Sequence, residues 1–365
     1  MAAAWDLPGN PSSVHAEGRQ ARRPVEDARA SVAAAVGAAP RSVVFTSGGT
    51  EANASALMPG LRGAAGPLQR LLMSAVEHPS VIAGGRVPPE AVSKIAVTPS
   101  GVVDLDDLRA ALASGPPALV SIMVANNETG AVQPVGEAAQ IVHEAGGLLH
   151  TDAIQALGKI PLDIKALGAD LLTVSAHKIG GPKGVGALVL GEGLSGLEPL
   201  LRGGGQERGH RAGTENVVGI AGFGAAARAA VGALEAERPR QEGLSERLEA
   251  GLRQTAGLII FAQNTPRLPN TTLFTVPGLR AETAVIGFDL AGIAVSSGSA
   301  CSSGKVQPSH VLEAMGFGPR LAQGAVRLSL GWSTTETDVE SCIQAWRKLE
   351  GHLIKDSDET LLERF

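Results

Sequence analysis

The residues best suited to chemistry in this chain stand just after short apolar runs. Lys178 closes Ser175-Ala176-His177-Lys178, which follows Leu171 to Val174 and precedes Gly180, Gly181, Pro182 and Gly184. An ionised lysine at a buried strand end is costly, so it has to be solvated, paired or converted, and an imine with an aldehyde is the chemical solution. Taken alone, the same lysine is a surface residue in a glycine-rich turn. Asp152 follows the run Leu148 to His150 and is the kind of carboxylate that a protonated pyridine nitrogen requires. Gln155, one helical turn further on, can donate to a phenolic oxygen. His150 and Asp152 also invite a metal reading, but no third ligand stands at a recognisable spacing.

Three more segments share this placement. Ser47-Gly48-Gly49-Thr50-Glu51 lies between Val43 to Phe45 and a helix-forming run, where free N–H groups and the Thr50 hydroxyl can cup a phosphate. An ordinary strand-to-helix turn capped by Thr50 fits those five residues equally well. His78, in Glu77-His78-Pro79-Ser80, can stack on a pyridine ring and move protons, although a histidine before proline is more often a capping residue. Asn127, after Leu119 to Val124, offers a neutral donor and by itself reads as a turn residue.

Composition bounds these readings. A chain of 365 residues, 44% of them hydrophobic, can bury a large core and calls for two domains. A formal charge of −5 without clustered Lys and Arg argues against a nucleic-acid partner. No uninterrupted apolar run approaches the roughly 18 to 20 residues that cross a bilayer, and Met1 to Asp6 has no leader-like pattern, so a cytoplasmic location is expected. Two cysteines are too few for a disulfide framework or a four-thiolate zinc site. Cys301 sits among Ser, Gly and Lys in Ser296 to Pro308, which predicts a mobile loop, whereas Cys342 lies in a helical run and reads as a packing residue.

The elements that must position these residues follow from the pattern. From Val43 to Leu190, apolar runs at 43–45, 71–73, 119–124, 148–150, 171–174 and 185–190 alternate with helical stretches after Thr50 and Pro134. This predicts an α/β domain with a mainly parallel central sheet and flanking helices. Ligands of such sheets gather beyond the carboxyl ends of the strands. A long Ala-rich helix is expected between Thr214 and Leu252. Strands near 258–261, 271–276 and 326–330 with helices near 282–290 and 335–353 predict a smaller α+β domain, giving domains 1–237 and 238–365, the second carrying the Cys301 loop at 296–308.

Taken together the motifs resemble the cysteine desulfurases of the NifS/IscS type, fold-type I pyridoxal-phosphate enzymes of the class V aminotransferase group. The resemblance runs from Gly9 to about Leu353. It rests on Gly9-Asn10-Pro11-Ser12-Ser13, Ser47 to Glu51, Glu77-His78, Asn126-Asn127-Glu128, His150 to Gln155, Ser175 to Lys178, Gly204 to Gly209 and Ser296 to Cys301. It implies that Lys178 carries pyridoxal 5'-phosphate as an imine, with Asp152 on the ring nitrogen, Gln155 on the phenolic oxygen and His78 stacked on the ring. Gly49, Thr50, Ser175 and His177 would cradle the phosphate, Thr214 would reach the phosphate of the other subunit of a homodimer, and Asn127 would supply a further donor. Arg327 would pair with the α-carboxylate of the substrate, L-cysteine.

The same resemblance implies that Cys301 receives the substrate's sulfur as a persulfide, with alanine as the other product. The sulfur would pass to an acceptor or iron–sulfur scaffold protein. Other class V activities, such as selenocysteine lyase or an aminotransferase, share the lysine and aspartate without needing the cysteine. Members of the group open with a segment holding an Asn-Ala-Thr-Thr loop near the active site. Here the chain begins Met1-Ala2-Ala3-Ala4-Trp5-Asp6 and that segment is missing, which leaves a non-catalytic partner as a further alternative.

Overall fold

A computed structural model describes residues 1–63, 66–298 and 308–353. They form two compact units, Met1–Ala96 with Val103–Ala125 and Gln133–Leu234, and Val97–Val102 with Asn126–Val132 and Glu235 onward. Two short segments of the N-terminal part thus belong to the second unit. A contiguous division at residue 237 does not anticipate them.

In the first unit, strands β1 (Val43–Thr46), β2 (Arg70–Ser74), β3 (Val92–Ile95), β4 (Ala118–Ser121), β5 (Leu148–Asp152), β6 (Leu171–Ser175) and β7 (Gly186–Leu190) make one sheet. Its order is β1-β7-β6-β5-β4-β2-β3. Pairings from β6 through β3 are parallel, and β7 runs antiparallel to both β6 and β1. The expected sheet is therefore mainly parallel. β4, β5 and β6 are buried at every position, because helices cover both faces of such sheets; each opens with an apolar pair, and polar side chains gather toward its carboxyl end. Edge strand β3, half exposed and polar at Ser93 and Lys94, gives no such pair. The sequence pattern did not reveal it.

Gly186 sits where β7 passes the turn after β1. A Cβ there would stand 2.6 Å from the carbonyl carbon of Gly48, so the close backbone approach permits only glycine.

Helix α1 (Ala16–Ala35) buries Ala21, Val25, Ala28 and Val32 at helical spacing, with His15 capping it by accepting from the Gly18 N–H. Pro24 inside it disguises the pattern. Helices α2 (Gly49–Ala56), α3 (Leu105–Ala113) and α4 (Val135–Glu144) fill the connections of the sheet. The long helix α5 (Val217–Leu252) is 36 residues, and its most apolar window is long and apolar enough by composition to cross a bilayer, with 33% of that window buried. A search for uninterrupted apolar runs passes over it because Arg228 breaks the stretch.

In the second unit β8 (Ile259–Ile260), β9 (Thr271–Thr275), β10 (Ser296–Ser297) and β11 (Val326–Ser329) form an antiparallel sheet ordered β8-β9-β11-β10. Helices α6 (Ala281–Leu290) and α8 (Glu336–Leu353) pack together, and the short α7 (His310–Ala314) lies between them in sequence. Trp346 of α8 meets Phe274 edge-on at 5.0 Å and stacks on Phe288 at 6.1 Å, anchoring the core. Thr335 and Asp338 close the N-terminus of α8 reciprocally, each accepting from the other's backbone N–H. Segment 126–132 joins this unit through Leu268 N–H to Gly130 O and Val132 N–H to Pro266 O bonds of 2.9 and 2.8 Å.

The first two residues of the expected loop 296–308 form strand β10 instead, Ser296 pairing with Arg327 and Ser297 with Val326. Serine hides the strand in a composition reading, because backbone pairing and not side-chain burial makes it.

Candidate active site

The first unit gathers a row of buried polar side chains on one face of its sheet. Ser121 and His150 are register partners on β4 and β5, and Asp152 and Thr173 are partners on β5 and β6. His150 and Asp152 are two residues apart, so the pleat turns both to the same face. Ser121 Oγ lies 2.8 Å from His150 Nδ1, and His150 Nε2 lies 3.3 Å from Thr173 Oγ1. Thr173 donates to Asn53 Oδ1 at 2.6 Å, and Asn53 Nδ2 donates to Asp152 Oδ2 at 2.8 Å and to Ser80 Oγ at 2.9 Å. Ser80 Oγ is 2.8 Å from His78 Nδ1. Asn53 reaches this row because α2 packs over β6 and β7.

Electrostatics sorts the carboxyl groups. Burial pushes Asp152 upward, resisted by Asn53, by the Ile154 N–H on Oδ1 at 2.9 Å, and by His78 and Lys178. Burial pushes Glu77 well above the ordinary carboxylate range, and the charge of Asp152 pushes it further. Two buried carboxylates in one field cannot both ionise easily. Asp152 has the Asn53 and Ile154 donors and the nearby Lys178 charge, so of the two Glu77 is pushed the further toward its protonated form. Burial also drops His150 to about 3, which leaves it neutral.

Lys178 lies in a short helical turn, Ala176–Ile179, that follows β6 and ends at Gly180 in the left-handed region (φ 77°). Ser175 Oγ is 2.9 Å from His177 Nδ1. Burial and the cations Lys178 and Lys183 lower His177. At the start of α2 the cap is Gly48, with no side-chain capping bond, so the reading of Thr50 as a cap does not hold. Thr50 is exposed in the first turn, and Gly49 is buried against Ile154. Glu51 accepts from the Ser47 N–H at 2.8 Å and from Arg211 at 2.9 Å, tying the turn down. Gln155 Oε1 accepts from Lys159 Nζ at 3.0 Å. Thr214 is exposed.

The second unit contains Asn127 and Arg327. Arg327 Nη1 donates to Asn127 O at 2.8 Å. Beside them Ser309 donates to Glu128 Oε2 at 2.5 Å, and Glu128 is pushed up to about 7 by burial, against Ser309 and the Arg327 cation. Cys301 lies outside the described residues. Cys342 is buried in α8, and burial pushes its thiol up to about 11. Among the described residues no three His, Cys, Asp or Glu side chains group as metal ligands, and both His150 nitrogens already face hydroxyls.

Asn53, Ser80, Thr173 and Glu128 received no role from sequence. Asn53 left one signal, since asparagine is a poor choice inside a helix unless its side chain is engaged. Thr173 left none, being an ordinary strand residue.

A mainly parallel sheet with a buried aspartate ending β5 and a lysine turn following β6 is the arrangement of the fold-type I pyridoxal-phosphate enzymes, and the fold is of that class. Residues 5–342 match the model of the family described as aminotransferase class-V, and the chain belongs to that family. A cysteine desulfurase of Cereibacter sphaeroides is 44% identical over 343 residues, covering 92% of this chain and 87% of that protein. Another, from Bradyrhizobium diazoefficiens, is 43% identical over 361 residues and covers 98% and 91%. Among solved structures, a NifS-like protein from Rickettsia africae superposes with a TM-score of 0.87 at 37% identity, covering 96% of this chain and 94% of that one. SspA in complex with cysteine gives 0.72 at 30% identity over 89% and 91%.

Proposed function

We propose that this chain is a pyridoxal-phosphate-dependent cysteine desulfurase that moves the sulfur of L-cysteine to Cys301. The observation that carries the cofactor reading is Asp152, a fully buried carboxylate clamped by Asn53 and the Ile154 N–H in the field of Lys178 and His78. That donor set fits a protonated ring nitrogen, and Lys178 fits the aldehyde. Relatives called cysteine desulfurase at 43 to 44% identity over most of the chain support the substrate.

The cofactor supplies an aldehyde that condenses with amines and a cationic ring that accepts the electrons released at the amino acid's α-carbon. Asp152 keeps the proton on the ring nitrogen. Lys178 would hold the aldehyde, and its Nζ as a free amine would be the base for the α-proton. His78 would stack on the ring. Gln155, its oxygen engaged by Lys159, offers its amide N–H to the phenolic oxygen. Gly49, Thr50, Ser175 and His177 would hold the phosphate, and Arg327 with Asn127 would hold the substrate carboxylate.

The Cys301 thiolate attacks the substrate sulfur. A sulfur–sulfur bond forms, the carbon–sulfur bond breaks with its electron pair left on carbon, and protonation there leads to alanine. The persulfide then passes to a sulfur-acceptor or iron–sulfur scaffold protein. A homodimer, with Thr214 reaching the partner's phosphate, and a cytoplasmic location belong to the same reading; the exposure of Thr214 and the low cysteine content support them.

Replacing Cys301→Ala tests it. Alanine release from L-cysteine is expected to cease while the protein stays yellow; unchanged turnover would refute the transfer.

A further inference from the structure

The buried polar row is directional, and its direction follows from what each atom can donate. Ser80 N–H, which can only donate, points at His78 Nδ1 at 3.1 Å, so that nitrogen carries no hydrogen. A carboxylate at Asp152 requires the amide nitrogen of Asn53 to face it, since the opposite flip would set two oxygens 2.8 Å apart. The Asn53 oxygen therefore faces Thr173, and at 2.6 Å the Thr173 hydroxyl has to donate to it. Its lone pairs are then what His150 Nε2 meets, so the neutral imidazole bears its hydrogen on Nε2 and accepts at Nδ1 from Ser121. The second amide hydrogen of Asn53 goes to Ser80 Oγ, which leaves the Ser80 hydroxyl to donate to His78.

We propose that Ser121, His150, Thr173, Asn53 and Ser80 form a one-way hydrogen-bond chain that holds Asp152 as an acceptor and His78 with its ring hydrogen on Nε2, Asn53 and Thr173 being positioning residues. The register partners Ser121–His150 and Asp152–Thr173 supply the frame. No member of the chain is an exposed residue, so water competes weakly for these bonds. One consequence concerns His78. As a neutral ring it gives a proton from Nε2, whereas Nδ1, facing both the Ser80 hydroxyl and the Ser80 N–H, takes up no proton while those bonds stand. The inference rests on the reading of Asp152 and His78 as cofactor groups, and the order of donors follows from the carboxylate at Asp152 together with the hydrogen bonds.

Two measurements on the full-length chain test it. Nitrogen-15 spectra of histidine-labelled protein report which ring nitrogen carries hydrogen. His150 and His78 are both expected to carry it on Nε2, and a hydrogen on Nδ1 of either would overturn the chain. The second measurement is titration with pyridoxal phosphate of wild type and of Thr173→Val, which keeps the shape and removes the hydroxyl. His150 should move its hydrogen to Nδ1 and the dissociation constant should rise about five- to tenfold, with Thr173→Ser restoring both. A folded Thr173→Val that leaves both unchanged would overturn the proposal. If that variant does not fold, the wild-type spectra decide. Wild-type protein with the expected tautomers but no affinity for pyridoxal phosphate would refute the proposed function and leave the chain standing.

Discussion

Arg327 donates from Nη1 to the main-chain oxygen of Asn127 at 2.8 Å, while its buried Nε meets no hydrogen-bond partner among the described residues. A buried guanidinium N–H without an acceptor is costly, and burial lowers the affinity of this arginine for its proton. Under the proposed function a substrate carboxylate would supply the missing acceptor and a countercharge. Arg327→Lys keeps the charge but loses the planar fork. It is expected to raise KM for L-cysteine about tenfold or more, with a smaller fall in kcat. Steady-state kinetics with an unchanged KM would remove Arg327 from substrate binding.

Glu128 makes stability depend on pH. Its folded-state affinity for a proton is raised from the ordinary 4.5 to about 7. The folded protein therefore holds this proton more tightly than the unfolded chain. The contribution is complete below pH 4.5, falls as the pH rises and is gone above about 7. Glu128→Gln has no proton to lose. Relative to wild type its stability should climb by up to about 3 kcal/mol between acidic and mildly alkaline pH. Denaturant midpoints across that range would show the trend, and a difference independent of pH would contradict it.

Glu207 and Arg29 form a buried two-bond pair at 2.7 and 2.8 Å, with Glu207 also accepting from the Phe45 N–H at 2.9 Å. Removing Glu207 takes both bonds from the buried Arg29 charge and leaves it the more exposed Glu26, 3.2 Å from its Nε. Glu207→Ala is expected to cost about 3 to 5 kcal/mol in urea unfolding. The double replacement Arg29→Leu with Glu207→Leu should cost less, because no buried charge remains. A double variant as unstable as the single one would show that packing, not charge, sets the effect.

Cys342 differs from the cysteine proposed for catalysis. Its thiol is buried and pushed up to about 11, so little thiolate exists at pH 8. Iodoacetamide should modify it only after unfolding, as read by mass spectrometry. Cys342→Ala should leave desulfuration unchanged at a stability cost of about 1 kcal/mol.

Much of the frame was legible because burial writes itself into residue type. Strands β4, β5 and β6 are covered on both faces, so each opens with an apolar pair that marks it, and the polar residues that end or follow β5 and β6, Asp152 and Ser175 to Lys178, stood out at strand ends. Edge strand β3 and the two-serine strand β10 were not legible, since backbone pairing rather than side-chain burial makes them. Segment 126–132 joins the second unit through backbone bonds to Pro266 and Leu268, partners more than 130 residues away that no local pattern encodes.

The sequence by itself determined the family, the fold class and the residues that could do the chemistry, because motifs at strand ends are local and each needs a particular side chain. Only the tertiary structure decided how Asp152 is held. Asn53, Thr173, His150 and Ser80 come from different elements, and parallel register with helix packing brings their donors and acceptors into order. Residue types state what can donate; three-dimensional placement decides which atom receives.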